Sequence, residues 1–284
     1  MTSNPFSNKD TFLFDGDGVL YKEDLTLPGS IELINKLKEE RKQIFVLTNN
    51  STKTRNEFHE KMRKLGILIP IDNILTSAFL TSEYISKEHP TAAIYVIGEN
   101  GLKAELLSVG LNVINHWEEE NTEEIFDFNF NDIDYVVTGM DRQLSYVKIA
   151  RAVHILNEKN SEVKFIATNG DMTFPTEKGL IPGGGAMIQI LEILSSRKVE
   201  KIIGKPSLQM YNSALEKANT TKEKAIFFGD RLETDILGAN NSGIISCLVL
   251  SGVTTMEDLG NLTEEKSPDI IVNDLQDVMD LLVG

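Results

Sequence analysis

Short apolar runs alternate with longer stretches of helical periodicity along the 284-residue chain. The first run, Thr11–Phe14, is uncharged and mostly apolar, and predicts a strand buried on both faces. Pro28-Gly29-Ser30 leads into Ile31–Arg41, where Ile31, Ile34 and Leu37 recur at helical spacing among charges; Pro28 suits a helix start. Gln43–Leu47 predicts a second strand, ending in Thr48-Asn49-Asn50-Ser51. A helix is expected from about Thr52 to Leu65, with Phe58, Met62 and Leu65 on one face and Gly66 as its stop. Ile74–Ser77 reads as a third, short strand. Strand and helix in alternation imply βαβ units, a parallel sheet and right-handed crossovers.

Beyond residue 79 the alternation continues without repeating the opening motif. Ala92–Ile97, Tyr135–Thr138 and Lys164–Thr168 read as strands; Gly101–Val109, Ser145–Asn157 and Met187–Leu194 read as helices. Trp117 and the acidic run Glu118-Glu119-Glu120 fall between them and read as a solvated loop or helix end. Pro182-Gly183-Gly184-Gly185 reads as a hinge or tight loop. The last third returns to the opening style. Lys201–Pro206 leads into a helix near Ser207–Ala218, and Lys224–Phe228 is a strand ending in Gly229-Asp230. A helical stretch follows near Thr234–Ala239, and Ile245–Leu250 and Asp269–Val272 are closing strands. The first and last thirds are therefore expected to share one sheet, with the middle third inserted. The divisions expected are 1–78 with 186–284 for the first domain and 79–185 for the insertion.

The chemistry collects where strands end. Asp15 and Asp17 are separated by Gly16 and followed by Gly18, at the carboxyl end of the first strand, where open α/β sheets bind ligands. Two carboxylates this close repel unless a cation or proton lies between them; a plain Asp-Gly surface turn is the simpler alternative. Three more strand ends carry Thr48 with Asn49, Lys205, and Asp230 with Asp235. Each has an ordinary explanation by itself: a helix cap for Thr-Asn or Asp230, a solvent-facing turn for Gly-Lys-Pro. Converging on one edge, they supply carboxylates, a hydroxyl and a cation. That set suits Mg²⁺, a hard cation that prefers oxygen ligands, with a phosphate beside it.

Composition narrows the partners. The net charge of -15 argues against broad nucleic-acid binding, which needs a basic footprint. It also requires an anionic substrate to be drawn in by local cations. Cys247 is the only cysteine, so no internal disulfide forms and a reducing, cytoplasmic compartment is expected. Residues 1–10 are polar with no apolar signal core, and no apolar run is long enough to span a bilayer, so no membrane partner is expected.

The motifs resemble those of a known family. Asp15-Gly16-Asp17-Gly18-Val19-Leu20 is similar to the DxDGVL signature of the haloacid dehalogenase superfamily of phosphotransferases. Leu47-Thr48-Asn49-Asn50 resembles its second motif, Gly204-Lys205-Pro206 its third, and Gly229–Asp235 its fourth, in matching order over almost the whole chain. Ala167-Thr168-Asn169-Gly170-Asp171, followed by Gly179–Ala186, resembles the cap-return segment of the NagD-like and p-nitrophenylphosphatase branch. The resemblance implies a Rossmann-like parallel-sheet core with an inserted α/β cap, and a Mg²⁺-dependent phosphatase. By the same resemblance Asp15 is the nucleophile and a metal ligand. Asp17 is the proton donor and acceptor, and a metal ligand through its carbonyl. Thr48, Asn49 and Asn50 hold the phosphoryl group. Lys205 neutralises Asp15 and the phosphate, Asp230 ligates Mg²⁺, and Asp235 supports Lys205 or the metal's water shell. The dehalogenase members lack the second aspartate, so Asp17 favours phosphatase chemistry. Gly16 stands where the family often has a larger residue, and nothing in the sequence explains it. Gly170 stands where the branch often has proline, in a loop resembling its substrate-specificity loop.

Small phosphorylated metabolites are the expected substrates: sugar phosphates, phosphoglycolate, nucleotides or pyridoxal phosphate. Asp171 and Arg142 lie on cap segments within reach of such a substrate or exposed as loop charges. A homodimer through the cap is the assembly put forward. A phosphoprotein phosphatase and a binding protein that has lost catalysis are the rival readings. His59, His89, His116 and His154 show no metal-ligand spacing, and Cys247 reads as a small core residue.

Overall fold

A computed structural model describes residues 5–115, 125–126, 128–158, 162–176 and 178–283. His116, Trp117 and the acidic run at 118–120 lie outside the described residues. The chain divides into two compact units, one of residues 1–48, 56–75 and 205–284, the other of 49–55 and 76–204.

The first unit is built on a six-stranded sheet in the order Ile270–Val272, Ile245–Val249, Ala225–Gly229, Thr11–Phe14, Gln43–Thr48, Ile74–Thr76. The pairings among the first five of these are parallel. Thr11–Phe14 lies at the middle, and all four of its residues are buried, because helices cover both faces. Phe12, Phe14, Ile226 and Phe228 pack on one face against Leu33, Ile34 and Leu37 of the helix Ser30–Glu39 and against Leu275 and Val278 of Leu275–Val283. The register sets Phe14 beside both Val46 and Phe228, and Asp15 N donates to Phe228 O at 2.8 Å. The residues next along these three strands are therefore brought level at their carboxyl ends.

The second unit has a five-stranded sheet in the order Lys201–Ile202, Lys164–Ala167, Tyr135–Thr138, Ala93–Ile97, Asn112–Val113, parallel throughout. The helices Ser77–Glu88, Asn100–Ser108, Tyr146–Asn157 and Gly184–Ser195 belong to it, as does an antiparallel hairpin of Thr173–Thr176 with Gly179–Pro182. Mixed α/β elements with parallel sheets are the fold class that the sequence implies.

Boundaries differ in places from the sequence reading. Ser77 opens a helix rather than closing a strand, because Thr76 Oγ1 accepts the Phe79 amide as its cap at 3.1 Å. Pro182-Gly183-Gly184-Gly185 is the end of the hairpin and the first turn of Gly184–Ser195 rather than a free hinge. That helix buries Met187, Ile188 and Leu191 with Phe165 and Ala167, so residues 186–204 pack in the second unit and the chain returns to the first at Lys205. Among the described residues no helix is long and apolar enough to cross a membrane.

Candidate active site

The first unit gathers Asp15, Asp230 and Asp235 at its strand ends, with a carboxylate oxygen of each within 4.8 Å of the others. Asp15 follows the central strand. Its Oδ1 accepts the Gly16 amide at 2.7 Å and faces Lys205 Nζ at 2.8 Å. Lys205 Nζ also meets Asp235 Oδ1 at 2.7 Å. Asp235 sits in the wide turn Leu232–Ile236, and its Oδ2 accepts the amides of Asp230 and Arg231, both at 3.1 Å. The aspartate thus folds the loop back over the strand end and leaves its other oxygen for the lysine. Asp230 Oδ2 accepts the Val253 amide at 2.8 Å, whereas its Oδ1 is buried with no hydrogen-bond partner among the described residues.

The backbone makes room for this cluster. Gly18 has φ +85, and a Cβ there would overlap the Asp230 carboxylate. Ser251 Oγ donates to Gly18 O at 2.8 Å, and Thr254 N to Asp230 O at 3.1 Å, so the loop after Ile245–Val249 braces the Asp17–Gly18 turn and Asp230 together.

Electrostatics follows from burial. Asp15 is pushed up to about 7, chiefly by desolvation; Lys205 pulls it down and Asp235 pushes it further up. Asp230 is raised well above the ordinary carboxylate range by burial, then by the charges of Asp235 and Asp15. Burial opposes the Lys205 charge, but the carboxylates of Asp15 and Asp235 outweigh it and raise its pKa, so it stays an ammonium. Ionising all three carboxylates against one ammonium would leave two uncompensated negative charges in this buried cluster, which is why Asp15 and Asp230 hold their protons more tightly. A hard divalent cation fits both that deficit and the unpartnered Asp230 oxygen.

The other residues singled out in the sequence fall around this cluster or away from it. Thr48 ends its strand and is buried. Asp17 is exposed and is not one of the clustered carboxylates; partial desolvation still raises its pKa, against Lys61, Arg231 and Lys22. Asn49, Asn50 and Asp171 belong to the second unit. Asn49 Nδ2 donates to Asp171 Oδ2 at 2.8 Å. Asn50 Oδ1 accepts the amides of Thr52 and Lys53 at 3.1 and 3.0 Å, capping the turn that leads toward the helix Arg55–Lys64. Arg142 is spread over Glu99, with Nε on Oε1 and Nη2 on Oε2, each at 2.7 Å. Cys247 is fully buried in the first core, as its apolar run suggests.

Gly16 acquires a reason. A Cβ there would stand 3.0 Å from the Tyr21 hydroxyl and 3.1 Å from the Phe58 ring. Tyr21 is buried, with Lys61 Nζ 4.2 Å over its ring, and it occupies the space that a larger residue between the aspartates would take. Neither Tyr21 nor the Ser251–Thr254 loop is among the site residues that the motifs point to. The loop carried a signal: Ser251-Gly252 directly follows an apolar run, at one more strand end.

The parallel sheet and the charged cluster at its strand ends define an α/β fold with an oxygen-donor site suited to a cation. Comparison with known proteins makes the class specific. A family model described as haloacid dehalogenase-like hydrolase matches residues 12–112, and a HAD-hydrolase-like model matches 202–278. The acid sugar phosphatase of Staphylococcus epidermidis is 36% identical over 248 residues, 87% of this chain and 89% of that protein. The structure of the 4-nitrophenylphosphatase of Thermotoga maritima is 32% identical and covers 97% of this chain and 98% of that one, with a TM-score of 0.86. The glycerol phosphate phosphatase of Mycobacterium tuberculosis, solved in complex with magnesium, is 26% identical with a TM-score of 0.82, over 97% of this chain and 78% of that one. The chain belongs to the haloacid dehalogenase-like hydrolases, in their NagD-like branch, and it is a phosphoric monoester hydrolase.

Proposed function

We propose that this protein hydrolyses small phosphomonoesters, sugar phosphates foremost, in a Mg²⁺-dependent reaction that passes through an aspartyl-phosphate on Asp15. One observation carries the reading. Asp15, at the end of the central strand, has one oxygen anchored by Gly16 N–H and Lys205, within a carboxylate cluster whose charge exceeds its own ammonium. The names of the relatives support the substrate class, and the magnesium held by one of them supports the metal.

In this reading Asp15 attacks phosphorus, forming an O–P bond as the bond to the leaving alcohol breaks. Asp17 gives its proton to the departing oxygen; its exposure leaves it accessible and its raised pKa favours a carboxyl that still holds that proton. Asp17 then takes a proton from the water that attacks the aspartyl-phosphate. The Asp15–P bond breaks and inorganic phosphate leaves. Thr48 and the Asn49 amide hold phosphoryl oxygens, and Lys205 neutralises charge that moves from Asp15 to the phosphate. Mg²⁺, held by Asp15, Asp230 and the Asp17 carbonyl, would supply charge neutralisation and a template at the phosphoryl group. Asp235 keeps Lys205 in place. The second unit, residues 49–55 and 76–204, takes the part of a cap that selects the leaving group.

A panel of metabolite phosphates assayed with Mg²⁺ and with EDTA tests the proposal. Hydrolysis of sugar phosphates that needs the metal is expected; no Mg²⁺-dependent hydrolysis of any phosphoester overturns it. Faster turnover of phosphopeptides than of small esters would favour the phosphoprotein phosphatase reading instead. We assign the protein to the cytoplasm, in keeping with its single buried cysteine. The homodimer is tested by light scattering, where a monomer removes it.

A further inference from the structure

The chain passes between its two units at Thr48–Asn49 and again at Gly204–Lys205, so two residues of the proposed machinery each adjoin a residue of the second unit. Those adjoining residues, Asn49 and Gly204, are held by one polar cluster. Asn49 Nδ2 donates to Asp171 Oδ2 at 2.8 Å, and Asn169 Nδ2 donates to the same oxygen at 2.7 Å. Asn169 Oδ1 accepts the Thr168 hydroxyl at 2.9 Å, and Thr168 O accepts the Gly204 amide at 2.7 Å. Ser77 Oγ donates to Asn49 O at 2.9 Å. Ser51 Oγ, two residues on and buried, accepts the Met140 amide at 3.2 Å. Gly204 has no room for a side chain, since a Cβ there would overlap the Asn49 carboxamide oxygen and stand 2.7 Å from Thr168 O. Asn49 and Gly204 therefore pack against each other.

We propose that Asp171 is a positioning residue: one of its carboxylate oxygens gathers the Asn49 and Asn169 carboxamides, and so fixes the backbone after Thr48 and before Lys205. This rests on the reading of Thr48, Asn49 and Lys205 as phosphoryl-handling groups. It gives Asp171 a part different from contact with the substrate. A convergent acceptor serves this purpose because two donors on one oxygen fix the angle between two segments, which a single hydrogen bond does not. Misplacement of a positioned group weakens stabilisation of the transferring phosphoryl more than ground-state binding, so the effect falls on kcat.

The test compares Asp171→Ala, Asp171→Asn, Asn49→Ala and the double variant Asn49→Ala/Asp171→Ala, assayed with Mg²⁺ on p-nitrophenyl phosphate and on a sugar phosphate. Asp171→Ala is expected to lower kcat between about tenfold and a hundredfold, by a similar factor on both substrates and with little change in KM. Asp171→Asn, which keeps an acceptor oxygen, recovers most of that loss. The double variant is no worse than the poorer single one. Additive losses overturn the proposal, as does a KM effect confined to the sugar phosphate, which marks a substrate contact. Should Asp171→Ala not fold, Asn49→Ala carries the test: it must reproduce the kcat loss, and adding Asp171→Asn to it must cost nothing further. An inactive wild-type protein would remove the underlying functional reading; an active wild type without this coupling removes the positioning role alone.

Discussion

At the scale of single residues, the site is a charge imbalance held in place by hydrogen bonds. Asp15 and Asp235 share Lys205, with Asp230 clustered beside them, and the ordinary carboxyl pKa of 3.8 rises to about 7 at Asp15. In the folded protein without a bound cation, Asp15 therefore holds a proton between about pH 4 and 7 that it has given up in the unfolded chain. What this group contributes to stability falls as pH rises through that window, because its proton excess in the unfolded state is negative. A cation competes with those protons and restores what is lost. Melting curves with and without Mg²⁺ should show a larger metal-induced rise in Tm at pH 8 than at pH 5. At a hundred times Kd the rise is roughly 5 °C or more; an equal rise at both pH values contradicts the argument. Gly16 offers a second check. Gly16→Ala forces its Cβ against Tyr21 and Phe58, so kcat should drop about tenfold by displacement of the neighbouring aspartates. Tyr21→Phe, which removes the 3.0 Å contact with the hydroxyl, should restore part of it. Undiminished activity in Gly16→Ala would show that the space is not needed.

Among elements, those with strong periodicity were legible from the sequence and those defined by contacts were not. The strand Thr11–Phe14 and the helix Ser30–Glu39 follow directly from their apolar spacing. The helix Ser77–Glu88 is not legible in the sequence because Ser77–Ser82 is buried throughout and shows no clear polar face. The hairpin Thr173–Pro182 is hard to read because Gly179–Pro182 is mostly exposed and both strands carry a proline in sequence. The cluster of Asp15, Lys205, Asp230 and Asp235 could be anticipated, since each follows or closes an apolar strand. The support beneath it could not, because it comes from helix packing. Tyr211, on the helix Leu208–Lys217, donates to the carbonyls of Asp235 at 3.0 Å and Thr234 at 3.2 Å, bracing the turn that carries Asp235. Its hydroxyl is buried beside Gly238, where a Cβ would overlap the ring. Tyr211→Phe leaves those carbonyls without this donor and should destabilise the protein by about 1–2 kcal/mol. Thermal denaturation measures this, and kcat should fall several-fold as the turn loosens. No change in either would mean that the turn holds by itself.

For the molecule as a whole, the order of motifs revealed one sheet assembled from the two ends of the chain, and the first unit has that composition. The return point was harder to read. Gly183, Gly184 and Gly185 look like a linker in sequence, and only burial of Met187, Ile188 and Leu191 shows that the following helix packs in the second unit. Net charge acts on the same scale. At -15 the overall field opposes an anionic substrate, which has to be drawn in by local positive charge, the part proposed for Lys205 and Mg²⁺. Raising salt from low to near-physiological ionic strength screens that long-range repulsion. At saturating Mg²⁺, kcat/KM should therefore rise, by about twofold; a fall would show that attraction to the site dominates the approach. Asp15 is proposed as the group that takes up the phosphoryl. The most direct measurement is the Mg²⁺-supported hydrolysis of p-nitrophenyl phosphate by Asp15→Asn beside wild type, with circular dichroism melts to show that both are folded. A loss of at least about a thousandfold in a folded protein is expected, and a folded Asp15→Asn with near wild-type turnover would contradict the role of Asp15.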